Sequence, residues 1–433
     1  MDLLEQLRVN MAPGADYEGD EHDLVVPHPL PVRLIAYYLP QFHPIPDNDR
    51  WWGKGFTEWT NVTKALPRYL GHYQPRLPGG LGFYDLRLPD TLREQAELAK
   101  RHGIAGFCIH YYWFAGRRLL ETPLELLLSH PEIDLPFCLN WANEPWSRIW
   151  DGSERKLLIE QKHSPEDDIA FATALEPALA DPRYIRIDGR PLIMLYRPSL
   201  LPEPSATIER WREHFSRRGL GDPYVVMPQR AGDTDPTIYG MDAAAGFPPH
   251  PDGWDLPPSS GLALLDEGFR GRALSYDALV EQAATQPHPA FTAFPGVCPG
   301  WDNEARREGR GTGFIGSTPR KYGAWLEHSC RRALQMTSAD ERIVFINAWN
   351  EWAEGAYLEP DRHYGYAYLR ETARVLGRLA RPAGVKMSGA ASLGSGKLRP
   401  AAPSRPIDGL IRAVRRRGAK AAEALADALR PDG

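Results

Sequence analysis

Val344-Phe345-Ile346-Asn347-Ala348-Trp349-Asn350-Glu351-Trp352-Ala353-Glu354-Gly355 is an apolar run that passes directly into two carboxylates at i and i+3. Its first half reads as a buried strand, and its second half as the exit of that strand into a site. The same plan recurs along the chain. Arg33–Pro40, Gly103–Phe114, Leu135–Glu144, Pro191–Pro198, Tyr224–Gln229, Asp242–Pro248 and Phe294–Trp301 are short apolar or aromatic runs that end in polar or aromatic residues. With the opening stretch, taken as Arg342–Trp352, they make eight candidate strands. Helix-like stretches lie between several of them. Leu88–His102 carries Leu92, Ala96, Leu98 and Ala99 at roughly helical spacing, and Thr318–Gln335 precedes the last strand. Strands alternating with helices predict an α/β fold, a (β/α)8 TIM-type barrel with long loops at the C-terminal face. A doubly wound open sheet is the runner-up, but the Gly-x-Gly-x-x-Gly turn of a dinucleotide site does not follow the first strand.

The domain organisation follows from composition shifts. Residues 1–30 are a polar lead-in segment, expected to be loosely ordered or to cap the barrel, and 31–381 form the barrel. Residues 382–406 turn to Gly, Ala, Ser and Pro and read as a linker. In 407–433, Ile407, Ile411, Val414, Ala421, Ala422, Leu425 and Leu429 recur at helical spacing, with Arg412, Arg415, Arg416, Arg417 and Lys420 crowding the first part. A basic amphipathic C-terminal helix of this kind fits a peripheral contact with an anionic membrane surface, or a solvated tail.

A chain of 433 residues with 42% hydrophobic and 25% charged residues has globular proportions. A net charge of −5 and a pI near 6.2 argue against nucleic acid as a ligand. Many of the 13 Trp, 18 Tyr and 14 Phe sit beside Asn, His and Glu, a mixture that suits sugar rings with apolar faces and polar edges. Cys108, Cys138, Cys298 and Cys330 lack zinc-type spacing and are expected to be reduced and buried. The histidines form no short metal pair, so neither metal nor cofactor is expected. The amino terminus lacks the pattern of a signal peptide and no long apolar run occurs, which predicts a cytoplasmic protein, peripheral to the inner membrane if the tail docks there.

Glu351 and Glu354 are the candidate catalytic pair. Like charges in a partly desolvated site push two pKa values apart, so that one carboxyl donates a proton while the other accepts one, the division of labour that glycosidic cleavage requires. The bland reading is a surface pair at a helix start. Asn140-Trp141-Ala142-Asn143-Glu144-Pro145-Trp146 ends the third strand in a similar way. Glu144 reads as a catalytic carboxylate opposite Glu351, as an acceptor for sugar hydroxyls, or as the structural partner of an arginine such as Arg148. Strand ends converge on one cleft in a barrel, which makes Tyr37, His43, His110, Tyr111, Asn140, Trp141, Asn143, Glu144, Trp146, Tyr196, Trp301, Asp302, Asn303, Trp349 and Asn350 candidate substrate-binding residues. Trp52 and Glu58 in the long loop Pro40–Pro75 join them; Trp51, Trp52 and Trp59 form a stacking platform or staple that loop to the barrel.

Tyr37–His43, Trp52-Gly53-Lys54-Gly55-Phe56-Thr57-Glu58-Trp59, Asn140–Trp146 and Asn350–Gly355 together resemble the WbsX-type proteins, the glycoside hydrolase family 99-like proteins of bacterial polysaccharide and lipopolysaccharide biosynthesis systems. The resemblance spans about residues 32–376. It implies a (β/α)8 barrel, and it aligns the Glu-Trp-His-Glu motif of family 99 with Glu351-Trp352-Ala353-Glu354. On that basis Glu351 is the base that deprotonates a sugar 2-hydroxyl, giving a 1,2-anhydro sugar, and Glu354 is the acid that protonates the leaving oxygen. Ala353 replaces the motif's histidine, a departure that bears on substrate identity. The family is also described as glycosyltransferase, but Asp47-Asn48-Asp49 is the nearest approach to a nucleotide-sugar motif and belongs to a loop already part of the resemblance. The expected function is a carbohydrate-active enzyme, a retaining glycoside hydrolase or transglycosidase acting on an oligosaccharide or bacterial surface polysaccharide. The alternatives are a glycosyltransferase of O-antigen or capsule biosynthesis and a non-catalytic glycan-binding barrel.

Overall fold

The computed structural model describes residues 2–147, 157–251 and 253–380; the predicted linker and basic tail helix, like Arg148, lie outside them. All eight candidate strands form. β1 (Arg33–Tyr38), β2 (Ile104–Phe114), β3 (Phe137–Trp141), β4 (Arg190–Leu195), β5 (Tyr224–Pro228) and β6 (Ala243–Ala245) pair in sequence order, every ladder parallel. The seventh run is split into β7 (Ala293–Phe294) and β8 (Gly296–Val297), and the last strand, β9 (Ile343–Ile346), pairs with both β8 and β1. Because β7 pairs with β6 and β8 with β9, the seventh run closes a TIM barrel.

Pro295 explains why that strand is broken. It has no N–H for the β6 side, yet its carbonyl accepts from Phe345 N at 2.9 Å, so the chain changes partner at the proline. The crossing is tight enough that a Cβ on Gly246 or on Gly296 would collide with the other's backbone. The barrel's short parallel strands are buried on both faces, which is why they read as continuous apolar runs instead of alternating ones.

The surrounding helices start and stop on local signals. Pro89–Arg101 opens on a proline and buries Leu92, Gln95, Ala96, Leu98 and Ala99. Pro319–Ala333 is capped by Thr318, which accepts from Lys321 N at 3.3 Å, and ends on Arg331 and Arg332 beside the carbonyl end of the dipole.

The lead-in is ordered where it is described. Asp2 and Glu5 form a reciprocal capping box on the helix Leu3–Asn10, and Asn10 Nδ2 donates to the carbonyls of His72 and Gln74, both at 2.8 Å. Farther on, Arg370 and Arg374 of the last helix, Ala367–Leu379, both bind Glu18. The segment thus packs against the first long loop and the last helix. All four cysteines are free and buried. Among the described residues no helix is long and apolar enough to cross a membrane.

A two-stranded parallel sheet, Arg272–Ser275 with Thr312–Ile315, was not foreseen. It joins the excursion between β6 and β7 to the one between β8 and β9, and its consequence is felt in the cleft.

Candidate active site

β9 ends at Ile346, and Asn350–Glu351 then pairs antiparallel with Ala356–Tyr357 across a 3-10 turn at Trp352–Glu354. This small hairpin is clamped to the end of β1. Asn350 Oδ1 accepts from Leu39 N at 2.7 Å, and its Nδ2 donates to Leu39 O at 3.0 Å. Behind it, Trp352 stacks on Tyr357 with ring centroids 3.9 Å apart and donates Nε1–H to Glu359 at 2.7 Å. Glu359 also accepts from Gln95 Nε2 and Tyr84 Oη, and burial lifts its carboxyl to about 7. Asn350→Ala would leave both Leu39 backbone groups unpaired in the interior, at about 1–3 kcal/mol each. A loss of several degrees in Tm is expected by calorimetry; an unchanged Tm would show that the clamp is dispensable.

The hairpin presents Glu351 and Glu354 to one guanidinium. Arg306 donates Nη2–H to Glu351 Oε2 at 3.1 Å and Nη1–H to Glu354 Oε1 at 2.6 Å, and reaches Glu58 Oε2 from Nε and Nη2, both at 3.2 Å. Glu354 Oε2 also accepts from Trp301 Nε1 at 3.2 Å. Burial pushes the Glu351 carboxyl up to about 8; Arg306 opposes the rise, and Glu354 and Glu58 add to it.

Arg306 is absent from the set that the sequence suggested. Its loop is fixed by Asn303, whose backbone N–H and side-chain Oδ1 both pair with Thr312 of the unforeseen sheet. Buried Glu304 holds the same loop, accepting from Arg68 Nε at 2.5 Å and from the N–H groups of Gly309 and Gly311. The only signal in the sequence was position, a few residues past the Trp301-Asp302-Asn303 cluster.

These groups line a cleft of about 590 Å³ together with Trp52, His110, Glu144, Trp146, Tyr196, Trp301 and Asn303 of the predicted set. Gln41, Asn48, Tyr112, Arg230, His250 and Trp254 line it as well. His110 is held neutral, its pKa lowered to about 4 by burial and then by Arg306.

Nine predicted binding residues do not line this cleft. Tyr37 lies inside the barrel against Phe247 and Phe345. His43 is buried, with its pKa lowered to about 4 by burial. Tyr111 and Trp141 pack on Phe171 of the helix Pro165–Leu179, because side chains alternate along a strand and their neighbours Tyr112, His110 and Asn140 take the inner face. Asn140 holds His110, its Nδ2 lying 3.2 Å from the ring Nδ1. Asn143 bonds both backbone groups of Arg197. Asp302 pairs with His72 and Gln74. Trp349 packs on Phe107, and Asn350 forms the clamp. Trp59 donates to Tyr84 O and packs on Phe42 and Trp352, so it staples the first loop, while Trp52 faces the cleft. Glu144 lies at the cleft wall in a salt bridge with Arg197, Oε1 to Nη1 at 2.8 Å.

A closed parallel barrel with a carboxylate pair at the end of its last strand is an architecture of carbohydrate-active enzymes, and the chain belongs to a family of that class. Residues 34–372 match the family described as glycosyltransferase WbsX, and the protein is a member of it. It is 48% identical over 357 residues to WxcX of Xanthomonas campestris pv. campestris, described as an uncharacterized protein, covering 82% of this chain and 51% of that one. The chain therefore spans about half the length of the curated relatives it matches. A solved glycoside hydrolase-like protein shares the fold with a TM-score of 0.50 at 13% identity, over 83% of this chain and 98% of that one. The GH99 endo-alpha-mannosidase from Bacteroides thetaiotaomicron follows at 0.49 and 16%, over 80% and 97%.

Proposed function

We propose that the protein is a retaining glycoside hydrolase or transglycosidase that acts on a bacterial surface polysaccharide through Glu351 and Glu354. The observation that carries this reading is the convergence of both carboxylates on Arg306 in an aromatic-lined cleft. Glu351 removes the proton of the sugar 2-hydroxyl as O2 attacks C1. The glycosidic C–O bond breaks, and the departing oxygen takes the proton of Glu354. By microscopic reversibility Glu354, now ionised, takes a proton from the water or acceptor hydroxyl that opens the 1,2-anhydro ring at C1, and Glu351 returns its proton to O2. For Glu354 to meet the leaving oxygen, substrate has to displace its contact with Arg306.

Glu351 works as a base only when ionised, and its buried carboxyl titrates near 8. The cycle needs Glu351 ionised and Glu354 protonated together, so activity belongs to the state in which the pair holds one proton. kcat/KM is expected to follow a bell-shaped pH profile with one limb near 8, well past the range in which an ordinary carboxylate finishes titrating, roughly pH 5–6. A profile flat from about pH 5 upward would remove Glu351 as the base.

The test of function is incubation of the purified protein with its host's surface polysaccharide, with and without a nucleotide-sugar mixture, read by mass spectrometry and NMR. New reducing ends support the hydrolase. Chain extension that consumes nucleotide sugar supports the second reading, a glycosyltransferase, which the family's description favours.

A further inference from the structure

Two arginines of the cleft wall stand in contrasting states. Arg306 is engaged by three glutamates. Arg230 lies with its guanidinium 4.4 Å from the centroid of the Tyr196 ring and 3.9 Å from Glu144 Oε1, beyond hydrogen-bond reach. Among the described residues its side chain makes no hydrogen bond. Glu144 is committed to Arg197 at 2.8 Å. Arg197 also pairs with Asp233 at 2.9 Å, and that fully buried carboxylate takes the hydroxyls of Ser199 and Tyr239 as well. Arg230 thus completes the charge balance of this group without giving up its donors, while the Tyr196 ring holds its plane in place. Its field reaches His250, where burial first, and then Arg230 and Arg197, lower the pKa to about 3.

We infer that Arg230 binds the carboxylate of a uronic acid residue, so that the glycan accepted by this cleft is an acidic saccharide. The inference rests on the carbohydrate reading given above. A planar guanidinium with open donors matches the two coplanar oxygens of a carboxylate, and the match is bidentate. Trp146 lines the same cleft and supplies an aromatic side chain for the sugar that carries the acid to pack on. A neutral hexose has only a hydroxymethyl group to offer at that position and would engage the fork singly.

The full chain is titrated by calorimetry with two disaccharides that differ in one group, glucuronosyl-mannose and glucosyl-mannose, and separately with UDP-glucose. The acidic disaccharide is expected to bind about tenfold tighter than the neutral one, the scale of a charge-assisted pair. In Arg230→Gln the ratio falls to about one, and in Arg230→Lys, which keeps the charge without the fork, it recovers in part. Glu144 keeps Arg197 in both variants, and their melting curves check that the fold is intact. Equal affinity for the two disaccharides in the wild type, or a preference that survives Arg230→Gln, overturns the inference and leaves the carbohydrate reading standing. UDP-glucose binding that depends on Arg230, without a preference between the disaccharides, overturns it in favour of a phosphate. Binding of neither disaccharide removes the carbohydrate reading and this inference with it.

Discussion

Glu354→Gln is expected to lose about 10²–10⁴-fold in kcat on polysaccharide, the range that a positioned general acid contributes. The amide keeps the shape and the Trp301 contact, so folding and Tm should hold. Glu351→Gln should fall as far, and for a different reason: the 2-hydroxyl then has no base. A substrate whose leaving group needs no proton separates the two. An aryl glycoside with an acidic phenol should restore much of the rate to Glu354→Gln and none to Glu351→Gln. Rescue of both, or of neither, would contradict the assignment of acid and base, and full activity in a folded Glu354→Gln protein would remove it as the acid.

Arg306→Met has the second large expected effect, and it acts on stability and rate together. Three carboxylates, Glu58, Glu351 and Glu354, share that guanidinium, and Glu58 and Glu351 are buried. Removing the cation from a buried ion pair typically costs about 3–5 kcal/mol, because the remaining charge stays in the interior uncompensated. Arg306 is also what restrains the upward shift of Glu351, so the variant should move the limb of the pH profile that Glu351 sets to still higher pH. Arg306→Lys should fare only slightly better, since a single ammonium cannot reach three carboxylates from one position. Melting curves and pH–rate profiles check both effects; wild-type values in either variant would show that Arg306 does not organise the pair.

These expectations differ in how far the sequence announced them. The barrel was legible because each strand is a local apolar run buried on both faces, and each flanking helix carries its own starting signal, Pro89 in one case and Thr318-Pro319 in another. The glutamate pair was legible for the same reason, since Glu351 and Glu354 follow β9 without interruption. Their partner was not. Arg306 stands in a polar stretch with no periodicity, and it reaches the cleft only because Asn303 pairs with Thr312 and Glu304 pairs with Arg68, a residue 236 positions away. Strand-end residues were likewise overcounted. Alternation along β2 and β3 sends Tyr111 and Trp141 to the helices, and that register depends on which neighbours pair with which.

The sequence by itself therefore determined the strand and helix plan, the class of fold and the position of two carboxylates at the end of the last strand, because all of these rest on contacts between residues near in the chain. Tertiary structure alone decided that Pro295 divides the closing strand, that Asn143 serves Arg197, that one guanidinium joins Glu58, Glu351 and Glu354, and that Arg230 keeps its donors open. Those outcomes depend on charges and hydrogen-bonding groups brought together from distant positions, and a charge's partner is set by the packing that surrounds it, which no local pattern encodes.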